Sequence, residues 1–209
     1  MSRFSVSRYN NLPSIKEADE KFDRQLADAK ISRHDFFSHL AKLFVEENRN
    51  ANYSPCLLHK HHLLEEGEKM VTEGKSTKPS RDNRVVAERW YPDGEEMEYV
   101  LANQLTQHIS FPPPPSSEFM DKFRASTQQY GVDVLGVCLK LPWEELPPNS
   151  LFLEMTGAKD REQVVEIVAI DSVVEENAYE TSWNITTQGP EVRIFCNRIC
   201  LRSICTKEH

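Results

Sequence analysis

The sequence of 209 residues has no run of about 18 apolar residues, the length that a membrane-spanning helix needs. Its first residues, Met1 to Tyr9, lack the apolar stretch of a secretory signal peptide. There are only five cysteines, and without an export signal an odd number predicts reduced thiols rather than a disulfide framework. We therefore expect a cytoplasmic protein without a membrane partner.

The common catalytic and nucleotide-binding motifs are also missing. The sequence contains no Gly-x-Gly-x-x-Gly, no Gly-x4-Gly-Lys-Ser/Thr, no Gly-x-Ser-x-Gly and no His-Glu-x-x-His. Near the C-terminus, Cys196, Cys200 and Cys205 are spaced too widely for a Cys-x2-Cys zinc knuckle. Nucleotide-dependent, serine-hydrolase and zinc-finger functions therefore lack support in the sequence.

Basic residues are outnumbered, with 25 Lys and Arg against 33 Asp and Glu and a net charge of −8. The segment 141–182 holds ten acidic residues against Lys159 and Arg161, which by itself leaves −8. No basic stripe is present, so nucleic acid is not an expected partner. One functional hypothesis is a noncatalytic binding or assembly protein that uses this acidic segment as a surface.

The first 50 residues are predicted to be helical. Ser14 and Glu17 form a capping-box pattern ahead of apolar residues at spacings of three and four. Ser32 and Asp35 open a second such stretch, which has a wider apolar face. Two amphipathic helices that pack on a core are therefore expected at the start of the fold.

The remainder of the chain is rich in β-strand patterns. Pro92-Asp93-Gly94 is a turn sequence, and we expect it to join strands over 84–91 and 96–101 as a hairpin. One further helix is predicted near 117–130, and the Val- and Ile-rich runs that follow it predict strands.

Helices that precede strands, without a repeating βαβ pattern, favour the α+β class. We expect a single domain over 1–209, with a helical N-terminal part over 1–50 and a sheet-rich part over 51–209. In this prediction the N-terminal helices pack on a mostly antiparallel β-sheet.

The most concentrated chemical feature is His59-Lys60-His61-His62. If the segment is a strand, alternation places His59 and His61 on one face, at a spacing that lets two imidazoles share one metal ion. The third group is expected from a distant residue such as His108, Glu98 or a C-terminal cysteine. The other reading is a chance cluster of imidazoles that are hydrogen-bonded at the edge of the core.

A resemblance is carried by Tyr53-x2-Cys56-Leu-Leu-His-Lys-His-His-Leu-Leu-Glu-Glu-Gly-Glu, with the later Trp90 and Asp93-Gly94. This pattern, over residues 53–101, resembles a group of fungal proteins of unknown activity that share a Leu-Leu-His-x-His segment. The resemblance implies that His59 and His61 belong to a recurring feature, whereas His62 stands where the group has an aromatic residue. It implies no catalytic role.

From these patterns we predict a small-molecule enzyme with a histidine-centred pocket. His59 and His61 are its candidate catalytic residues, as acid/base groups or as ligands of a divalent metal cofactor. The alternative is the noncatalytic acidic-surface protein, and a homo-oligomer stays open in either case.

Trp90, Arg198 and Arg202 are the candidate substrate-binding residues. The two arginines alternate with Cys196 and Cys200 on the last predicted strand, where they can bind a carboxylate or phosphate. The favoured interpretation is that they neutralise carboxylates of the segment 141–182.

Overall fold

The computed structural model describes residues 4–104, 111–140, 146–157, 161–173, 178–188 and 191–201. The α-helices in this part of the chain are α1 (Val6–Asn10), α2 (Ile15–Asp28), α3 (Arg33–Glu46) and α4 (Ser117–Gln128). The strands are β1 (Tyr53–Leu57), β2 (Lys69–Glu73), β3 (Ser76–Ser80), β4 (Val85–Trp90), β5 (Glu96–Leu101), β6 (Leu135–Leu139), β7 (Ser150–Gly157), β8 (Glu162–Ala169), β9 (Ala178–Gln188) and β10 (Glu191–Leu201). Short 3-10 helices cover Ala102–Gln104 and Ile170–Ser172.

These strands form one closed barrel in the order β1-β6-β4-β5-β2-β3-β8-β7-β10-β9. The ring closes where Cys56 of β1 pairs with Ser182 of β9. Neighbouring strands are antiparallel except β2–β5 and β7–β10, which are parallel. The predicted α+β fold with helices on an open sheet is therefore wrong. Closure pairs the two strands that would otherwise be exposed edges, and it joins segments that are far apart in the sequence.

The predicted N-terminal helices are present and begin at the predicted caps, Ser14 and Ser32. They pack on the outer wall of the barrel, where the ring of Phe37 lies 4.2 Å from the ring of Trp183 on β9. The helix predicted near 117–130 is α4, and its Phe119 packs edge-on against Phe44 of α3. None of the helices in the described part of the chain has both the length and the apolar character that a membrane crossing requires.

The predicted hairpin is confirmed, with β4 and β5 paired antiparallel around the Pro92-Asp93-Gly94 turn. Gly94 has φ +84°, and its N–H donates to the carbonyl of Tyr91 over 2.9 Å. The register of the pair shifts between Ala87 and Arg89 and again before Trp90. These irregularities lie next to Arg89, which turns into the barrel.

Candidate metal centre inside the barrel

Four charged side chains meet in the barrel interior. Arg89 on β4 and Glu154 on β7 lie on strands five places apart in the ring of ten, so their 3.0 Å contact crosses the full interior. Arg89 also contacts Glu98 of β5 at 3.1 Å, and Arg198 of β10 contacts Glu154 at 3.2 Å. All four side chains are at most 9% exposed. Buried charges require this kind of mutual pairing, because an isolated one is strongly disfavoured in the interior.

The two interior carboxyl groups differ in basicity. Burial by itself raises the pKa of Glu154, but the guanidinium groups of Arg89 and Arg198 outweigh burial and lower that pKa strongly. Burial raises the pKa of Glu98, and the nearby carboxylate of Glu154 raises it further. Arg89 lowers this pKa but offsets the increase only in part. Glu154 is therefore ionised and fixed in place, and its low basicity makes it a poor proton acceptor.

His59 is fully buried beside this charged group. Its Nδ1 lies 2.9 Å from the carbonyl oxygen of Leu57, which can only accept, so Nδ1 donates and Nε2 carries the lone pair. Nε2 lies 4.0 Å from Oε2 of Glu154, and neither atom has a hydrogen-bond partner within the described residues. Burial lowers the pKa of His59, so the ring is neutral at neutral pH. A neutral imidazole held through its other nitrogen is the form that binds metals.

His61 lies against His59, with 4.5 Å between the ring centroids. Its Nδ1 is 3.3 Å from the hydroxyl of Thr156 on β7, and its buried Nε2 has no partner within the described residues. Burial, followed by the neighbouring His59, lowers the pKa of His61 well below its usual value. The expected proximity of the two imidazoles is confirmed, and both are held in the neutral form.

Cys200 of β10 completes a group of three metal-ligating residues. One ligand atom from each of His59, His61 and Cys200 lies within 4.8 Å of the others. Zinc–nitrogen and zinc–sulfur bonds of about 2.0–2.3 Å place the ligands of one tetrahedral ion roughly 3.3–3.8 Å apart, so a small inward movement suffices. Burial and the carboxylate of Glu154 raise the pKa of the Cys200 thiol, so only a bound cation makes it a thiolate near neutral pH.

The two histidines lie together as expected, but strand alternation, the reason for expecting it, is wrong. Strand β1 ends at Leu57, and His59 and His61 follow it in an irregular segment that bends at His61 and His62. The bend, and not strand alternation, brings the rings together. Among the predicted third groups, a C-terminal cysteine is the one in place, Glu98 is bound to Arg89, and His108 lies outside the described residues.

The predicted substrate-binding residues do not form one group. Trp90 is a core residue, 3% exposed, and packs edge-on against Tyr53. Arg198 enters the interior and pairs with Glu154, a member of the acidic segment, as the favoured interpretation expected. Arg202 lies outside the described residues.

The acidic segment 141–182 is not a uniform surface in its described part. Glu154 is buried, Glu162 accepts a hydrogen bond from Ser76, and Glu180 accepts one from the indole of Trp183. The acids that lie outside the described residues are Glu144, Glu145, Asp160, Glu175 and Glu176. Glu166 and Asp171 are exposed, and Glu162 and Glu180 are half-buried, so the described part of the segment leaves the acidic-surface hypothesis open.

Sequence reasoning missed the interior pairs made by Arg89 and Glu154. A signal existed for Glu154, because it is the single charge in Leu-Phe-Leu-Glu-Met, residues 151–155. Alternation on a strand places it with the interior-facing Phe152 and Thr156. Arg89 gave less signal, because the register shift beside it breaks the alternation.

No protein-family model, no curated protein and no solved structure matches this chain. The resemblance to fungal proteins therefore stays a prediction, and function has to be inferred from the geometry of the described residues.

Proposed function

We propose that the barrel binds one divalent transition-metal ion through His59, His61 and Cys200 and uses it in a reaction on a small molecule. The observation that carries this proposal is the convergence of three ligand atoms within 4.8 Å in a buried interior. Both Nε2 atoms lack hydrogen-bond partners within the described residues, and buried polar atoms are seldom left in that state.

The donor set favours particular metals. Two imidazole nitrogens and one thiolate suit zinc or copper, whereas calcium and magnesium prefer oxygen ligands. The carbonyl of Leu57 behind His59 and the hydroxyl of Thr156 behind His61 supply the supporting contacts that orient ligating histidines. Zinc is the ion that we expect in a reducing compartment, because its binding involves no redox change.

A fourth position on the ion supports catalysis. Three protein ligands and one open position are the pattern of catalytic zinc sites, where the metal lowers the pKa of a bound water towards 7. Oε2 of Glu154, which is 4.0 Å from Nε2 of His59, is placed to accept a hydrogen bond from such a water. Glu154 would orient the water in this proposal, and a bound ion would supply the acidity.

The burial of His59 and Cys200 favours a second candidate, a noncatalytic protein in which the metal is structural. His59 has no exposed surface, and structural zinc sites are closed and four-coordinate. In that case the fourth ligand would be the carboxylate of Glu154, whose Oε2 lies 4.0 Å from Nε2 of His59 but outside the group of three converging ligand atoms. The two candidates differ in what metal removal does to the fold.

The test begins with untagged protein that is stripped with a chelator and reloaded with Zn²⁺ or Co²⁺. We expect about one equivalent by elemental analysis and a cobalt–thiolate absorption band that is lost in Cys200→Ser. Cys196→Ser is the matched control, since Cys196 lies on the same strand outside the cluster, and it should keep both signals. Less than about 0.2 equivalents after reloading contradicts the proposal.

Catalysis is then separated from a structural role. Zinc-loaded protein should hydrolyse 4-nitrophenyl acetate faster than Cys200→Ser, while the metal-free protein keeps its circular dichroism spectrum. Unfolding on metal removal, with no metal-dependent turnover, overturns the enzyme and leaves the structural candidate.

A further inference from the structure

We propose that a cavity at one end of the barrel, on the opposite side of Glu154 from the metal centre, binds a small organic carboxylate. The cavity measures about 90 Å³, and Arg89, Arg198 and Phe152 are among the side chains that line it. Its walls come from β2, β3, β8, β7 and β10, which are neighbours in the ring, and from β4 opposite them. The cavity therefore lies in the barrel interior and not on its outer wall.

The position of the cavity follows from the register of two parallel strands. Phe152 of β7 is paired with Arg198 of β10, and Glu154 is paired with Cys200 two residues further on. Phe152 and Arg198 line the cavity, whereas Cys200 belongs to the metal centre. Two residues advance a strand by about 6.6 Å, which separates the two levels. Glu154 lies between the two sites because its Oε2 faces His59 and its Oε1 contacts the cavity-lining Arg89 and Arg198.

The lining carries more positive than negative charge. Arg89, Arg198 and Lys75 are its cationic side chains, and Glu88 is its one carboxylate. Lys75 is exposed in the β2–β3 turn, whereas both arginines are more than nine-tenths buried. Glu154 and Glu98 offset the charge of the two guanidinium groups, so Lys75 at the entrance supplies the attraction for an anion and the guanidinium groups supply hydrogen-bond donors inside.

The guanidinium group of Arg89 has an N–H donor without an acceptor among the described residues. Its Nη2 donates a hydrogen bond to Glu154 at 3.0 Å, and its Nε lies 3.1 Å from Oε2 of Glu98 as an ion pair without hydrogen-bond geometry. Its Nη1 is buried and has no hydrogen-bond partner within the described residues. Leaving such a charged donor unpaired is costly, and a carboxylate oxygen is the acceptor that removes the cost.

Two hydroxyl groups add a further donor. Thr72 and Thr77 are direct cross-strand partners whose Oγ1 atoms lie 2.9 Å apart. One hydroxyl proton is used between them, so the other is free to donate to a ligand. Both side chains line the cavity and are buried.

The apolar part of the lining selects an organic acid over an inorganic anion. Phe152 packs under the guanidinium carbon of Arg198 at 5.0 Å, and Val165 and Ile167 extend the apolar wall. A volume of about 90 Å³ is far below the roughly 300 Å³ of a drug-sized site, so the acid has a short chain. None of the proposed metal ligands lines the cavity.

The test titrates the full chain as purified, without chelator treatment, with butyrate, with butyramide as the uncharged analogue, and with inorganic phosphate. We expect saturable one-to-one binding of butyrate by calorimetry, with butyramide at least about tenfold weaker, the factor for one hydrogen bond to a charged group. Thr77→Val and Lys75→Met should each weaken butyrate binding severalfold, because each removes one donor or charge from the lining. Lys78→Met is the matched control, since Lys78 is exposed on β3 outside the lining, and it should not change binding.

Three outcomes overturn the carboxylate site. The first is equal binding of butyrate and butyramide, and the second is tighter binding of phosphate than of butyrate. The third is that the Thr77→Val and Lys75→Met variants melt normally and yet bind butyrate as tightly as the unmodified protein does. None of these outcomes bears on the zinc stoichiometry, which is measured on the same preparation. Failure of the carboxylate proposal is therefore distinguishable from failure of the metal proposal.

Discussion

Arg89 and Glu154 join opposite walls of the barrel through a 3.0 Å contact between Nη2 and Oε1. The contact is fully screened from water, and each residue has a second ionic partner, Glu98 for Arg89 and Arg198 for Glu154. This pair lies between the proposed metal centre and the proposed carboxylate cavity, so loss of either side chain should disturb both sites.

Removal of one member of the pair should destabilise the protein strongly. Arg89→Met leaves two buried carboxyl groups without their shared cation, and we expect the free energy of unfolding to fall by about 3–5 kcal/mol. Urea denaturation measures the change. Lys122→Met, which breaks exposed pairs with Glu47 and Glu118, is the control and should cost less than about 1 kcal/mol. Equal costs in the two variants contradict the buried network.

The local features of the fold were predictable, and its closure was not. Ser14 caps a helix and Gly94 forms a turn through contacts with residues only a few positions away in the sequence. A helix start and a hairpin turn can therefore be predicted from the sequence. The barrel depends on Cys56 meeting Ser182, a contact between distant segments that no local pattern specifies. Apolar alternation describes a strand equally well in an open sheet and in a barrel.

The candidate site was predictable in part for the same reason. His59 and His61 are close in sequence, so their proximity needed only a local bend. Cys200 and Glu154 arrive from β10 and β7, which are adjacent in the ring through a parallel pairing. The sequence contains several cysteines and carboxylates that could complete the site, and only the strand topology shows which of them lie beside the two histidines.

Acid should destabilise the protein through its two buried imidazoles. The folded-state pKa values of His59 and His61 are both lowered, so below about pH 6.5 the unfolded chain binds more protons than the folded one. Stability is therefore full above that pH and falls as the pH drops, by up to roughly 1.4 kcal/mol per pH unit for each imidazole.

Urea denaturation of metal-free protein between pH 7 and pH 5 measures this slope. His59→Asn should flatten it, whereas His34→Asn should not, because the His34 side chain is 85% exposed on α3. A slope that is unchanged in His59→Asn contradicts the buried neutral form.

Two glycine substitutions should separate backbone strain from steric overlap. Gly94→Ala forces a side chain into φ +84°, yet the new Cβ has only Met120 Cγ nearby at 4.0 Å, so we expect a loss of about 1 kcal/mol. In Gly136→Ala the Cβ overlaps the backbone oxygen of Trp90 and the side chain of Leu58, and the loss should be larger. An unchanged denaturant midpoint in Gly94→Ala contradicts the turn assignment, and a smaller loss in Gly136→Ala than in Gly94→Ala contradicts the steric overlap.

Metal binding should release one thiol proton for each ion at pH 7.5, and up to one more proton where a bound water ionises. Both imidazoles are already neutral, because their pKa values are lowered, whereas the pKa of the Cys200 thiol is raised and its proton must leave before sulfur binds the ion. Zinc titrations by calorimetry in two buffers of different ionisation enthalpy give the number of protons directly. Cys200→Ser should release about one proton fewer than the unmodified protein if it binds zinc at all, and Cys196→Ser should release as many as the unmodified protein. A release of more than two protons in the unmodified protein exceeds the thiol and one bound water, so it means that a histidine is charged before the ion binds, which contradicts the neutral imidazole pair on which the metal site depends.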